Sequence, residues 1–286
     1  MKEIMACLEN EILVFDGAMG TMLQKHNLPI MDIQSERFNQ SHPEIVSLIH
    51  RSYVEAGSDI LTTNTFQSNS NKLDSKELPS VIKQAVKLAR SANPRFVAYD
   101  MGPIGKMMPP QGDLTFEEAY ELFKEQAILA EEAGVDLVII ETMWDLREAK
   151  AAILAVKEHT ELPVFVTMTF QKNGRTLVGT DALTAALALQ EYGADAIGVN
   201  CSFGPVELLP VVQTMINHGT VPIIVQANAG LPEIIDNKSV YRMTVEEYKQ
   251  AVNQLLDLGV KVVGGCCGTT PEFIQAICQS IEGKGR

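Results

Sequence analysis

The chain has 286 residues, 46% of them hydrophobic and 6% aromatic, and a formal net charge of −13. That acidity is dispersed over ordinary helix faces, which argues against a nucleic-acid or anionic-membrane surface, since either would need clustered Lys and Arg. No apolar run approaches the ~20 residues of a membrane span. Met1–Asn10 carries acidic residues where a signal segment would be apolar, so a soluble cytoplasmic protein is expected.

Short apolar runs alternate with helix-period segments along the whole chain. In order they are Ile12–Asp16, Ile60–Phe66, Phe96–Asp100, Asp136–Thr142, Val164–Phe170, Ala196–Ser202, Ile223–Asn228 and Lys261–Cys266. Continuous rather than alternating hydrophobicity suits parallel strands buried on both faces. Many of the runs follow a helix that ends on a glycine, in EAGSD, EEAGVD, EYGAD and LDLGV, where a left-handed residue stops the helix. Eight βα units in a chain of this length predict an α/β fold, a single (β/α)8 TIM barrel over residues 1–286. Helix starts are legible too: Thr115 precedes an acidic first turn, Thr244 with Glu247 forms a capping box, and Thr270 caps before Pro271. Met101–Asp113, rich in Gly, Pro and Met, reads as a long loop after the third strand, either a lid or a structural connection.

In such a barrel the chemistry sits at the C-terminal ends of the strands. Those positions hold Asp16-Gly17, Asn64-Thr65, Asp100, Glu141-Thr142, Asn200-Cys201, Asn228 and Cys266-Cys267. Three of the five cysteines, Cys201, Cys266 and Cys267, therefore converge on one rim; Cys7 precedes the first strand and Cys278 falls on the apolar stripe of the last helix. Clustered thiols in a reducing compartment point to metal or catalysis more than to disulfides. Three thiolates with an open fourth position suit Zn2+. Neighbouring residues of a strand face opposite ways, so Cys266 and Cys267 reach one ion only if the backbone bends, and the flanking glycines of GGCCG permit that. A plain glycine turn with buried cysteines, or a vicinal disulfide, is the competing reading. None of the five histidines stands at a strand end. An electron-rich all-sulfur site favours holding a reactive thiolate over activating water, which points to alkyl transfer onto sulfur. Asp16 and Glu141, at the ends of the first and fourth strands, are candidates to pair with an amino acid's ammonium group, with a plain Asp-Gly turn the competing reading for Asp16. The turn Gly17-Ala18 offers backbone N–H groups for a carboxylate, and Asn64 joins the candidate substrate-binding residues.

The segments DGAMGTMLQ, ILTTNTFQSN, GVNCSFGP, ANAG and GGCCGTTP together resemble the homocysteine S-methyltransferase family, with particular likeness to the N-terminal homocysteine-binding module of cobalamin-dependent methionine synthases. The resemblance implies a zinc-bearing barrel with Cys201, Cys266 and Cys267 as ligands and Asn228 as a candidate fourth ligand before substrate arrives. It also implies that Asp16 and Glu141 bind the homocysteine amino group. Family members differ in methyl donor. Gln67 stands where betaine-using relatives carry tyrosine, and the NAG and GGCCGTTP details lean towards methylcobalamin carried by a separate corrinoid protein or domain. S-methylmethionine and S-adenosylmethionine are the alternative donors, and a non-catalytic zinc- or thiol-binding subunit is the alternative of another class. A phosphate-binding lyase or aldolase fits poorly, because Lys261 lies at the wrong end of its strand.

Overall fold

The computed structural model describes residues 3–30, 32–235 and 238–283. The eight apolar runs form eight parallel strands: β1 Leu13–Val14, β2 Ile60–Thr62, β3 Phe96–Met101, β4 Leu137–Met143, β5 Val164–Met168, β6 Ala196–Cys201, β7 Ile223–Ala227 and, after a short antiparallel pair β8 Glu233–Ile235 and β9 Lys238–Val240, the last barrel strand β10 Val262–Gly265. Their order is β1-β10-β7-β6-β5-β4-β3-β2. A parallel bridge between Phe15 and Ile60, with the Asp16 N–H donating to the Ile60 carbonyl at 3.0 Å, joins the two ends and closes the barrel. The ladders stop short of the sequence runs because residues such as Thr63–Phe66 turn away into rim loops.

Helices cover the outside, and their starts follow local chemistry. Thr115 with Glu118 and Thr244 with Glu247 form reciprocal capping boxes. Pro271 opens the last helix as expected, but Thr270 makes no side-chain cap; its hydroxyl bonds Glu272 Oε2 instead. The four predicted helix-stop glycines, Gly57, Gly134, Gly193 and Gly259, all have positive φ. No described helix is long and apolar enough to cross a membrane.

Side chains alternate across each strand, which divides the core in two. One apolar layer lies between strands and helices. The other fills the barrel: Leu13, Phe15, Ile60, Phe96, Ala98, Leu137, Ile139, Phe165, Ala196, Ile224 and Val262. The helix Glu3–Asn10 plugs the bottom of the barrel with Ile4, Cys7 and Leu8, an i, i+3, i+4 stripe. Following each inward row towards the C-terminal end, the composition switches from apolar to polar, at Thr62, Asp100, Glu141, Thr167, Asn200 and Gln226. The barrel is thus a packed hydrophobic cylinder with a polar mouth. The Met101–Asp113 loop packs against the barrel. It buries Ile104 and Met108, the Ile104 N–H donates to Glu148 Oε1 at 2.8 Å, and Arg147 Nη1 donates to the Pro109 carbonyl at 2.6 Å.

Candidate functional site

Cys201 ends β6, and Cys266 and Cys267 follow β10. The three sulfurs all lie within 4.8 Å of one another, and all three residues are half-buried. Cys201 Sγ and Cys267 Sγ are 3.7 Å apart, and all five cysteines are free thiols. A tetrahedral zinc ion with bonds near 2.3 Å spaces its sulfur ligands by roughly 3.8 Å, so this donor set fits zinc without rearrangement of that pair. It is the single group of three or more Cys, His, Asp or Glu with metal-holding spacing among the described residues.

Two backbone bends create the cluster. Cys266 is still in register, its N–H donating to the Ala227 carbonyl at 2.8 Å, and the chain then folds back so that the Thr269 N–H reaches the Cys266 carbonyl at 3.1 Å. Gly268, with φ +83, makes that reversal, and a Cβ there would sit 2.2 Å from the Tyr241 ring. Gly264 and Gly265 act differently from the hinge expected of them: neither has positive φ, and a Cβ on Gly265 would collide with Thr269 Oγ1 at 2.2 Å. The second bend has no glycine. Cys201 and Ser202 are consecutive left-handed residues with φ +52 and +58, a conformation that strains residues bearing a Cβ. The Ser202 hydroxyl, which donates to the Asn200 carbonyl at 3.1 Å and accepts the Phe170 N–H at 2.8 Å, holds it in place. The sulfurs also set one another's charge. Hydrogen bonds from Cys201 and then Cys266 hold Cys267 below the ordinary thiol range, while Cys266, bonded to Cys201 and Cys267, is held well above it. Asn228, the candidate fourth ligand, is buried on this rim. Its N–H donates to the Phe203 carbonyl at 3.0 Å, and its Oδ1 has no partner.

Beside the thiols lies a carboxylate group. Asp16 is buried, and its Oδ2 accepts the Thr62 N–H and its Oδ1 the Thr62 hydroxyl, both at 2.9 Å. Burial raises Asp16 to about 8 against the pull of those bonds. Glu141 sits at a bulge near the end of β4, and burial, followed by the nearby Cys267 charge, raises it to about 7. Asp100, raised further by burial and then by Glu141, keeps Oδ1 sealed and unpartnered. No Lys or Arg among the described residues forms a salt bridge with these three. The mouth therefore presents buried and half-buried acceptors without a salt-bridge partner, the complement of an ammonium group.

The remaining expected residues are placed as follows. Gly17 and Ala18 adjoin Asp16 at the start of the helix Met19–Lys25, with the Ala18 N–H donating to Thr269 Oγ1 at 3.2 Å. The Asn64 amide nitrogen donates to the Ser35 carbonyl at 2.7 Å and to Asn39 Oδ1 at 3.2 Å, and so anchors the rim segment around Ser35–Ser41. Next to that segment, Ile30, Ile33, Glu36, Phe66 and Gln67 line a cavity of about 390 Å3. Thr62, which holds Asp16, is not among the strand-end candidates of the sequence, and Asn200, which is among them, bonds Thr142 beside Glu141. Both are marked by being polar at an inward position of an otherwise apolar strand.

Comparison with known proteins agrees with this geometry. The sequence profile of a family described as homocysteine S-methyltransferase matches residues 13–281. The methionine synthase of Mycobacterium leprae is 31% identical over 302 residues, covering 98% of this chain and 25% of that protein. The Mycobacterium tuberculosis methionine synthase is 30% identical with the same coverage, so the chain spans about a quarter of the length of these curated relatives. The metallated form of the homocysteine methyltransferase MmuM from Escherichia coli superposes with a TM-score of 0.80 at 22% identity, covering 95% of this chain and 97% of that one, a likeness of fold.

Proposed function

The chain belongs to the homocysteine S-methyltransferase family, and on that premise we propose that it methylates the sulfur of homocysteine to give methionine, with zinc held by Cys201, Cys266 and Cys267 and the methyl group supplied by methylcobalamin on a separate corrinoid protein or domain. The observation that carries this reading is the juxtaposition, at one barrel mouth, of a three-sulfur cluster with the buried Asp16 and the half-buried Glu141, neither of which has a salt-bridge partner among the described residues. Homocysteine has a thiol for the first and an ammonium for the second.

Bound zinc would hold a substrate thiol and lower its pKa so that it is nucleophilic near neutral pH. The chain's own residues do the rest. Asp16 and Glu141 receive the ammonium group, whose charge makes both carboxylates ionise. Thr62 fixes the orientation of Asp16 through two hydrogen bonds. Gly17 and Ala18 form the turn beside which the substrate carboxylate lies, and Asn64 keeps the neighbouring rim segment in place. Asn228, with its unpartnered Oδ1, would supply a fourth ligand in the absence of substrate. No general base is needed, and no histidine joins the cluster. We also read residues 1–286 as one domain. A cytoplasmic setting, which keeps thiols reduced, suits the three free cysteines.

Support for methylcobalamin comes from the likeness to methionine synthases and from the sequence signals at Gln67 and the GGCCGTTP segment. The test is methionine formation by zinc-loaded protein with a panel of donors: methylcobalamin free and protein-bound, S-methylmethionine, S-adenosylmethionine and betaine. Turnover with methylcobalamin above that with betaine is expected. Robust turnover with S-methylmethionine and none with methylcobalamin would overturn the donor, and no methionine from any donor would overturn the activity.

A further inference from the structure

β4 and β6 are not neighbours; β5 lies between them. One carries Glu141 and the other ends in Cys201, and a single side chain ties the two. Between the paired rows Ile140–Val166 and Met143–Met168, β4 has one residue more than β5, so Glu141 and Thr142 together oppose Thr167. The extra residue is accommodated by Thr142 at φ +64, a left-handed conformation in which a β-branched residue is a true outlier. Asn200, fully buried, meets that residue with both ends of its amide. Its Oδ1 accepts the Thr142 N–H at 2.9 Å, and its Nδ2 donates to Thr142 Oγ1 at 2.8 Å. Thr142 Oγ1 in turn lies 3.5 Å from Glu141 Oε1. The carbonyl of the same Asn200 accepts from Ser202, which fixes the left-handed pair at Cys201 and Ser202. One residue thus stabilises the strained backbone on both sides.

We propose that Asn200 is a positioning residue for substrate selection: its amide locks the Thr142 bulge and thereby aims Glu141 at the amino group of a thiol held at Cys201. The inference rests on the reading that Glu141 binds that amino group. An asparagine is well suited to the task. The bulge presents the Thr142 N–H beside a hydroxyl whose own proton is directed at Glu141 Oε1, so a primary amide matches both by accepting the first and donating to the second, whereas a carboxylate would draw the hydroxyl proton away from Glu141 and a hydroxyl could not span the two. With the amide removed, the Thr142 N–H loses its partner and Oγ1 its donor, the left-handed state loses its support, and Glu141 is free to swing.

The test compares homocysteine with 4-mercaptobutyrate, the same thiol acid without the amino group, by calorimetry on zinc-loaded protein. Asn200→Ala should retain its zinc, weaken homocysteine binding roughly tenfold and leave 4-mercaptobutyrate within about twofold, as expected for loss of a charge-assisted contact. In a Thr142→Gly background, where glycine adopts the left-handed state unaided, Asn200→Ala should cost less than about twofold, since the coupling is then gone. Should Asn200→Ala fail to fold, Asn200→Asp, which keeps the acceptor and loses the donor, carries the same comparison. Equal losses for both ligands, or an undiminished effect in the glycine background, would overturn the proposal. Glu141→Ala separates the two layers. If it abolishes the preference for homocysteine and Asn200→Ala does not, Asn200 alone is misassigned; if Glu141→Ala keeps the preference, the amino-group reading itself fails.

Discussion

Cys201 and Cys267 stand 66 positions apart in sequence, yet their sulfurs approach to 3.7 Å at the mouth of the barrel. Cys201 is the last residue of β6 and already left-handed, and Cys267 lies beyond the last barrel strand, in a turn closed by Gly268. The pair is therefore a product of rim geometry and not of the core. Cys201→Ala should lower zinc content from about one ion per chain to well below half, because two thiolates remain where structural and catalytic zinc sites use at least three protein ligands. The barrel should stay folded in the metal-free variant, its apolar layers being untouched. Elemental analysis with far-UV circular dichroism checks both halves. Unchanged zinc in the variant would remove Cys201 from the ligand set.

The turn after Cys267 is the more sensitive of the two bends. At Gly268→Ala the added Cβ meets the Tyr241 ring at 2.2 Å while φ stays at +83. Strain of roughly 1–3 kcal/mol is expected, and relaxing it must displace the segment that carries Cys267. Zinc affinity should fall, by competition with a chelator, by more than global stability does. Wild-type zinc affinity in the Gly268→Ala protein would show that the turn and the metal site are uncoupled.

Thr62 donates twice to the buried Asp16, and those bonds work against the burial that raises Asp16 to about 8. Thr62→Val keeps the backbone donor and deletes the hydroxyl, so Asp16 should titrate at still higher pH. An ammonium group needs Asp16 ionised; below its pKa, binding must first expel a proton. Homocysteine affinity at pH 7 should therefore drop by about 1.5–3 kcal/mol and recover in part at pH 9. A loss equal at both pH values would mean that Thr62 acts through packing and not through the charge of Asp16.

Much of this was legible in the sequence, for identifiable reasons. Strands buried on both faces leave continuous apolar runs, and the four helix-stop glycines mark left-handed positions that favour them. The thiol cluster was visible because three cysteines fall at strand ends. Other features have no local signature. Cys201 and Ser202 are left-handed without glycine, so nothing in the composition announces the bend. The amide of Asn200 reaches across β5 to Thr142, a contact fixed by a one-residue slip between strands. Gly265 suggested a hinge, yet it is glycine because Thr269 leaves no room for a Cβ. The strands β8 and β9 are three residues each, and β8 exposes Ile234 at 70%, so no burial pattern marks it. The helix Glu3–Asn10, unassigned from the sequence, has three apolar positions, Ile4, Cys7 and Leu8, and their role at the bottom of the barrel depends on contacts distant in sequence.

His50 offers a test of stability remote from the thiols. It lies on the helix Pro43–Glu55, fully buried, and neither ring nitrogen has a hydrogen-bond partner. Burial lowers it from 6.5 to about 4. The unfolded chain then binds a proton on this residue between those values while the folded chain does not, so stability falls as pH drops from about 6.5 to about 4 and this contribution levels off below. The shift corresponds to on the order of 3 kcal/mol. Glu148, raised by burial to about 7, works in the opposite sense, losing stability as pH rises from about 4.5 to about 7. Because that term is common to both proteins, the difference between wild type and His50→Leu isolates the histidine. His50→Leu should be close to neutral at pH 8, since it replaces an unpartnered polar group with an apolar one of similar size. At pH 4.5 it should be more stable than wild type by about 2 kcal/mol, most of the shift available by that pH. Urea denaturation at the two pH values checks this, and parallel pH profiles for the two proteins would show that His50 is solvated or paired when protonated.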